Sequence, residues 1–228
     1  MVDPNHVLFE AVVRLLRPVL DYLVFVGGCT TGLFLTDPAA SGIRPTKDVD
    51  AIVDVTSYAK YASLAERLRA LGLAEDSTPG APLCRWRHAE MIVDVMPTDA
   101  SVLGFSNRWF PAAIETAEMR RIAVHDVRVV TPPLFIATKL EAFHGRGAND
   151  LFASHDLEYI VTLVDGRPTI TAEVAVSGTE VRAYIAAEVR ALLDNADFVE
   201  ALPGFLLPDA GSQARRGFLE ARLRELSN

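Results

Sequence analysis

Cysteine is scarce in this sequence, because Cys29 and Cys84 are the only two among its 228 residues. Two cysteines cannot build a disulfide scaffold, and their spacing matches no set of zinc ligands. We expect both to be small buried thiols in a protein of a reducing compartment.

Basic residues are also fewer than acidic ones. The chain has 22 lysines and arginines against 30 aspartates and glutamates, for a formal net charge of −8. This balance argues against nonspecific binding to nucleic acid by bulk electrostatics, so any such binding would need a local basic patch. The arginines that could form one in the second half of the chain are Arg146, Arg182, Arg190, Arg215, Arg216, Arg222 and Arg224.

Long apolar runs are absent as well. The apolar stretch 12–26 is interrupted by Arg14, Arg17, Pro18 and Asp21, whereas a membrane span needs roughly 20 apolar residues. No signal peptide, internal repeat, heptad array or low-complexity tract is visible. We therefore expect a cytoplasmic globular protein without membrane contact.

The hydrophobic pattern that is present divides the chain into two parts. Residues 1–131 alternate between helix-like and strand-like periodicity, which predicts a mixed α/β core. The predicted strands are 22–26, 48–55, 83–88, 90–97 and a hairpin over 121–130 that turns at His125 and Asp126. The predicted helices of this part are 5–17, a segment directly after Gly28, and 57–72.

The part from 132 to 228 reads as helical throughout, with predicted helices at 132–145, 155–165, 178–194 and 212–226. The predicted fold class is therefore α/β (α+β): a mixed sheet flanked by helices, followed by a helical C-terminal region.

Three aspartates stand within strand-like apolar runs. Asp48 and Asp50 are two residues apart and share one face of their strand, and Asp94 interrupts the run "IVDVMP". Three like charges in one cleft repel each other unless a cation neutralises them, which points to a metal site. Mg²⁺ is the expected ion, with Mn²⁺ as the alternative, because it takes a few carboxylates and completes its shell with water and substrate phosphates. A solvated pair at a strand end is the competing interpretation of Asp48 and Asp50.

Gly27 and Gly28 follow the strand 22–26 and precede a helix-like segment. Amides at such a turn attract anions, and residues without Cβ permit the closest approach of a phosphate. A metal site and a phosphate-binding turn together indicate a metal–nucleotide site. No G-x-G-x-x-G follows a strand, which disfavours a dinucleotide-dependent oxidoreductase.

These motifs resemble a known superfamily. "VGG", "TKDVDAIV" and "IVDVMP" resemble, in this order, the nucleotidyltransferases of DNA polymerase β type. More closely, "GIRPTKDVD", "PPLFIATKLEAFHGRG" and "SHDLEYIVTLVDG" look like the AbiEii-type nucleotidyltransferase family, whose members are toxins of bacterial toxin–antitoxin systems. The resemblance covers roughly residues 20–165 and implies a polymerase β-like core.

The resemblance assigns roles to individual positions. It implies that Gly27 and Gly28 cradle the triphosphate, that Asp48 and Asp50 hold the metals, and that Asp94 is the third acid.

In the helical part, the resemblance implies that Lys139 contacts the triphosphate and that Asp156 is a later essential acid. Tyr159 stands where the family often has a second aspartate. Arg146 is seven residues after Lys139 and shares its side of the helix, which makes it a nucleotide-binding candidate.

Further residues are candidates for nucleotide contact. Arg44, Thr46 and Lys47 lie just before the aspartate pair, where a solvated loop is the other explanation. Cys29 occupies the position where the family often has a hydroxyl, for which Thr30 or Thr31 could substitute.

The function implied is transfer of a nucleoside monophosphate from ATP, CTP, GTP or UTP to an acceptor hydroxyl. The resemblance suggests RNA as acceptor, in particular a transfer RNA 3′ end, with growth inhibition as the consequence and a cognate antitoxin as a possible partner. Two alternatives stay open: a small-molecule nucleotidyltransferase of the antibiotic-modifying type, and a catalytically silent nucleotide-binding module.

Overall fold

The computed structural model describes residues 3–40, 42–145 and 150–228. These residues form two compact units. The sheet unit comprises Pro4–Thr30 and Pro45–Thr131, and the helical unit comprises Asp3, Thr31–Arg44 and Pro132–Asn228.

The sheet unit is built on one mixed sheet. Its strands are β1 (Leu23–Val26), β2 (Asp48–Val53), β3 (Ala74–Glu75), β4 (Arg85–His88), β5 (Met91–Pro97), β6 (Glu118–Ile122) and β7 (His125–Val129). They are ordered β3-β4-β5-β2-β1-β7-β6. The pairs β2–β5 and β1–β7 are parallel and the other neighbours are antiparallel. This confirms the predicted mixed sheet.

The two central strands have different burial patterns. All four residues of β1 are buried, as expected for the middle of a sheet covered on both faces. Strand β2 begins with Asp48 and Asp50 partly exposed on either side of the buried Val49, and continues with three buried residues. The acidic start of β2 is therefore the accessible part of the sheet's centre.

Four helices accompany the sheet: α1 (His6–Leu15), α2 (Tyr58–Ala70), α3 (Ala100–Leu103) and α4 (Phe110–Glu115). Helix α1 buries Phe9, Val12 and Val13, and the edge of the Phe9 ring meets Phe25 of β1 with ring centroids 5.0 Å apart. The helix ends at Leu15, and a 3₁₀ turn that contains Pro18 follows it.

Two local predictions for this unit are wrong. The segment after Gly27 is a 3₁₀ helix, Gly28–Leu33, not an α-helix. The β6–β7 hairpin pairs Ile122 with His125, so it turns at Ala123 and Val124 rather than at His125 and Asp126. A shift of the turn by two residues keeps the same side chains on the same face, so hydrophobic alternation cannot distinguish the two registers.

The helical unit contains the remaining helices: α5 (Pro132–Gly145), α6 (His155–Gly166), α7 (Ile170–Ala175), α8 (Thr179–Leu193), α9 (Ala196–Ala201), α10 (Ala210–Ala214) and α11 (Arg216–Leu226). The helical C-terminal region is thus confirmed, but the helix predicted over 212–226 is divided into α10 and α11 at Arg215. Within the described parts of the chain, no helix combines the length and the apolar character needed to cross a membrane.

Arg215, the residue between α10 and α11, is held by buried hydrogen bonds. Asp165 of α6 is fully buried, and the Arg215 Nε lies 2.8 Å and 3.0 Å from its two carboxylate oxygens. The Arg215 Nη2 donates to Asp37 Oδ2 at 2.6 Å. Arg222 donates to the main-chain carbonyl of Val164 at 2.9 Å. Because Arg215 and Arg222 neutralise and cap the interior of this unit, they do not belong to the basic patch that the sequence suggested.

This network predicts an acid-sensitive contribution to stability. The hydrogen bond from Arg215 holds the pKa of Asp37 below its ordinary value of 3.8. A carboxyl with a depressed folded-state pKa stabilises the fold above its unfolded-state pKa, and this contribution is lost as pH falls through the folded-state pKa. We expect Asp37→Asn to lower the free energy of unfolding at pH 7 and to lessen its decrease between pH 7 and pH 2, measured by urea denaturation. Equal decreases for the variant and the wild type would contradict this.

Candidate active site

The three strand aspartates lie on one face of the sheet. Strands β2 and β5 are parallel, and their register places Asp50 directly opposite Asp94. Asp48 lies two residues before Asp50 and therefore projects from the same face. Asp94 is 6% exposed, whereas Asp48 and Asp50 are partly exposed. We call Asp48, Asp50 and Asp94 the acid cluster.

Gly27 provides the space for one of these carboxylates. Its φ of +74° lies in the left-handed region, and a Cβ added there would lie 1.9 Å from Asp50 Oδ2. The Asp50 carboxylate therefore occupies the volume that a side chain at position 27 would need. Only glycine satisfies both the backbone angle and this close approach.

The turn after Gly27 is fixed by side chains that follow it. The buried Thr30 hydroxyl donates to the Gly27 carbonyl at 2.9 Å, and the Cys29 thiol lies 3.4 Å from the Val26 carbonyl. Thr30 thus holds the glycine in place from the first turn of the 3₁₀ helix that begins at Gly28.

Thr46 fixes one carboxylate of the acid cluster by a hydrogen bond. Its hydroxyl donates to Asp48 Oδ1 at 2.7 Å, and its amide donates to the side chain of the buried Asn5 at 2.8 Å. Asn5 therefore holds the main chain of Thr46, and Thr46 orients one oxygen of Asp48.

Arg85 of β4 is a site residue that the sequence interpretation missed. Its Nε donates to Asp94 Oδ1 at 2.8 Å, and its Nη2 donates to Asp94 Oδ2 at 2.7 Å and to Asp48 Oδ2 at 3.0 Å. These hydrogen bonds, with that to Asp94 foremost, raise the pKa of Arg85 above its ordinary value. The guanidinium is therefore a permanent positive charge that bridges two members of the acid cluster.

A sequence signal for Arg85 existed. Strands β4 and β5 form a hairpin in which His88 pairs with Met91, and counting outward from this turn pairs Arg85 with Asp94. Directly paired residues project from the same face of a sheet, so an arginine opposite an intrastrand aspartate marks a candidate ion pair. The neighbouring Cys84 is inert, because burial raises its pKa to about 12.

The acid cluster fits Mg²⁺ by its donor chemistry. Carboxylate oxygens are the hard ligands that Mg²⁺ prefers, and one or two of them suffice when waters and phosphates complete the shell. Across residues 3–40, 42–145 and 150–228, no three histidine, cysteine, aspartate or glutamate side chains are arranged to hold a metal ion. Asp48 and Asp50 are the pair that would hold Mg²⁺, since they are more exposed than Asp94 and Arg85 makes two of its three hydrogen bonds to Asp94.

The helical unit holds a second set of predicted residues. Lys139 of α5 is 8% exposed, and its Nζ donates to Asp156 Oδ1 of α6 at 2.8 Å. The same Nζ lies 4.7 Å from the centroid of the Tyr159 ring, within the range of a cation–π interaction. Lys139 and Asp156 are thus brought together although they are seventeen positions apart, and the ring of Tyr159 faces the lysine.

Arg44 is another candidate in the same unit. Arg44 pairs with Glu158 of α6, with Arg44 Nη1 and Glu158 Oε2 2.8 Å apart. Both side chains are partly exposed, at 35% and 29%. Arg146, the remaining nucleotide-binding candidate, lies outside the described residues.

The contact between Gly27 and Asp50 gives a prediction with a matched control. Gly80 has a φ of +86°, similar to Gly27, but a Cβ added there would meet nothing within 4 Å. We expect Gly80→Ala to lower the free energy of unfolding by about 1 kcal/mol through backbone strain alone. We expect Gly27→Ala to lower it by about 2–4 kcal/mol, because Cβ also collides with Asp50. Chemical denaturation measures both, and equal losses would show that Asp50 moves aside freely.

Comparisons with known proteins show no matching family model and no matching curated protein. Among solved structures, the chain is similar to the crystal structure of an antigenic nucleotidyltransferase-like protein from Paracoccidioides brasiliensis. The two chains are 18% identical, the match covers 87% of this chain and 91% of that chain, and the TM-score is 0.49. A likeness of this degree assigns no family or activity, so the function is argued from the residues themselves.

Proposed function

We propose that this protein is a metal-dependent nucleotidyltransferase that transfers a nucleoside monophosphate from a nucleoside triphosphate to an acceptor hydroxyl. The observation that carries the proposal is the acid cluster, three carboxylates on one face of two parallel strands in register. Three like charges at the accessible centre of the sheet repel one another, which costs free energy. Binding of a cation is the function that offsets this cost.

The reaction is an in-line displacement. The acceptor oxygen forms a bond to the α-phosphorus, the bond between the α-phosphorus and the bridging oxygen breaks, and pyrophosphate leaves. Mg²⁺ held by Asp48 and Asp50 would supply charge neutralisation at the attacking and leaving oxygens. Catalysis of this kind depends chiefly on positioning and electrostatics.

The residues around the acid cluster supply the positioning. Thr46 orients Asp48, and Gly27 sets the position of Asp50 by leaving room for its carboxylate. Both oxygens of Asp94 accept a hydrogen bond from Arg85, so each has one lone-pair site left with which Asp94 could join the metal site or accept the proton of the acceptor hydroxyl.

Lys139 is proposed as a ligand of the triphosphate, and Asp156 as the acid that holds the lysine in place. The ion pair of 2.8 Å and the low exposure of Lys139 support this assignment, because a solvated lysine would not be held in this way. Tyr159 contributes a ring face to the same ammonium group. The role at the triphosphate itself is carried by the resemblance of the segment around Lys139 to the AbiEii-type family.

RNA is the proposed acceptor, in particular a transfer RNA 3′ end, and the resemblance also suggests a toxin role and a cognate antitoxin. A small hydroxylated acceptor is the second candidate, and the engagement of Arg215 and Arg222 inside the helical unit favours it, because it takes these two away from a phosphate backbone. The exposed Arg216 and Arg224 both pair with Glu220. Arg182 and Arg190 are exposed and donate to main-chain carbonyls, so they are the described arginines of this part that best fit an RNA contact.

The experiment that tests the activity uses each α-³²P-labelled nucleoside triphosphate with total RNA, purified transfer RNA or a panel of aminoglycosides. We expect label to move to one acceptor class in the presence of Mg²⁺ or Mn²⁺. Asp48→Asn and Asp50→Asn should each reduce transfer at least about 10²-fold, because each removes one anionic metal ligand. Asp54→Asn, at an exposed aspartate directly after the end of β2, is the control and should retain activity. Near wild-type transfer by either cluster variant would contradict the metal-site assignment, and triphosphate binding without any transfer would favour a silent nucleotide-binding module.

Lys139 gives a separate prediction. Lys139→Met keeps the aliphatic packing but removes the charge, and we expect kcat/KM for the triphosphate to fall about 10²–10³-fold. Lys139→Arg should recover little of the wild-type kcat/KM, because the guanidinium differs in reach and shape from an ammonium group. Lys60→Met, at an exposed lysine of α2, is the control. Unchanged kcat/KM in Lys139→Met would leave Lys139 with a purely structural ion pair.

A further inference from the structure

Arg85 occupies the centre of the acid cluster. Two of its nitrogens make three hydrogen bonds to carboxylate oxygens of Asp94 and Asp48, at 2.7–3.0 Å. The Arg85 side chain is 22% exposed and that of Asp94 is 9% exposed, so the pair with Asp94 is largely removed from water. An ion pair in this position is screened much less than one at the surface.

Strand pairing places the guanidinium there. Arg85 lies opposite Asp94 in the antiparallel β4–β5 ladder, and Asp94 lies opposite Asp50 in the parallel β2–β5 ladder. These three residues form one row across neighbouring strands. The backbone register therefore places the Arg85 side chain next to the acid cluster.

The same contacts set a limit on cation binding. One oxygen of Asp48 accepts from Thr46 and the other accepts from Arg85, so both are engaged. A divalent ion that takes Asp48 Oδ2 must displace Arg85 from it or share that oxygen at close range with a like charge, whereas at Oδ1 it would share the oxygen with the neutral Thr46 hydroxyl. Arg85 and the metal are thus alternatives at Asp48 Oδ2, although the two hydrogen bonds to Asp94 can persist after Asp48 is released.

We propose that Arg85 is the built-in counterion of the acid cluster, a positioning residue that holds Asp48 and Asp94 in place until a divalent metal replaces it at Asp48. This inference rests on the proposed metal site. Arg85 preserves the geometry of the cluster in the metal-free chain, and it also weakens metal binding by competition. The displaced guanidinium stays on the same sheet face, where it can contact the anionic triphosphate that accompanies the metal.

The test is direct binding of Mn²⁺ to the full chain without nucleotide, by isothermal titration calorimetry and by the loss of the free-ion EPR signal. We expect Arg85→Met to bind Mn²⁺ about tenfold or more tightly than the wild type, because a competing positive charge within contact distance is removed. Arg85→Lys keeps the charge but cannot hold Asp94 with two parallel hydrogen bonds, so its affinity should lie between the two.

Arg87 provides a matched control. It lies on the same strand and the same face as Arg85, two residues away, but it pairs with Asp76 at 2.7 Å. Arg87→Met should bind Mn²⁺ as the wild type does. Thermal unfolding adds a second readout: without metal Arg85→Met should melt below Arg87→Met, and Mn²⁺ should raise its melting temperature more than that of the wild type.

The outcomes separate this inference from the proposed function. Equal Mn²⁺ affinity in the wild type and Arg85→Met, or weaker affinity in the variant, would overturn the counterion role and leave the metal site standing. Absence of Mn²⁺ binding to the wild type and to all Arg85 variants would overturn both. If Arg85→Met does not fold, the comparison of Arg85→Lys with the wild type decides, and equal affinities there would overturn the inference.

Discussion

Repulsion among three carboxylates is the constraint on which the accessible centre of the sheet depends. The in-register parallel pairing of β2 with β5 puts Asp50 and Asp94 side by side, and Asp48 projects from the same face. No arrangement of the side chains alone removes this repulsion, because the backbone ladder sets the spacing. Positive charge has to come from within the chain or from solution. Arg85 supplies it from within, through hydrogen bonds to two of the three carboxylates.

Small residues next to the cluster are explained by the same constraint. Gly27 has no side chain because the carboxylate of Asp50 fills that volume, and Thr30 fixes the glycine through its carbonyl. Thr46 donates to Asp48 and leaves the opposite oxygen to Arg85. Gly27 and Thr46 position two carboxylates without adding charge, whereas Arg85 contributes one positive charge to the three acids.

The helical unit handles its buried charges in a different way. Asp165 is fully buried and accepts two hydrogen bonds from Arg215 Nε. Removal of one partner from such a pair leaves an uncompensated charge and is strongly destabilising. Lys139 and Asp156 also form a close pair, but both keep some exposure, at 10% and 13% of their side chains. Arg215 is similarly exposed, at 14%, so the two pairs differ chiefly in the complete burial of Asp165.

The sequence by itself determined the alternation of strands and helices, the helical character from Pro132 onward and the shared face of Asp48 and Asp50, because these follow from local periodicity and short spacing. It also pointed to Lys139 and Asp156, which the structure joins. Only the tertiary structure decided the position of the β6–β7 turn, the break at Arg215 and the bridging of the acid cluster by Arg85. These depend on strand register and on contacts between residues far apart in the chain, and periodicity carries no information about either. A two-residue shift leaves a strand's faces unchanged, and an arginine in a strand looks solvated until its partner across the ladder is known.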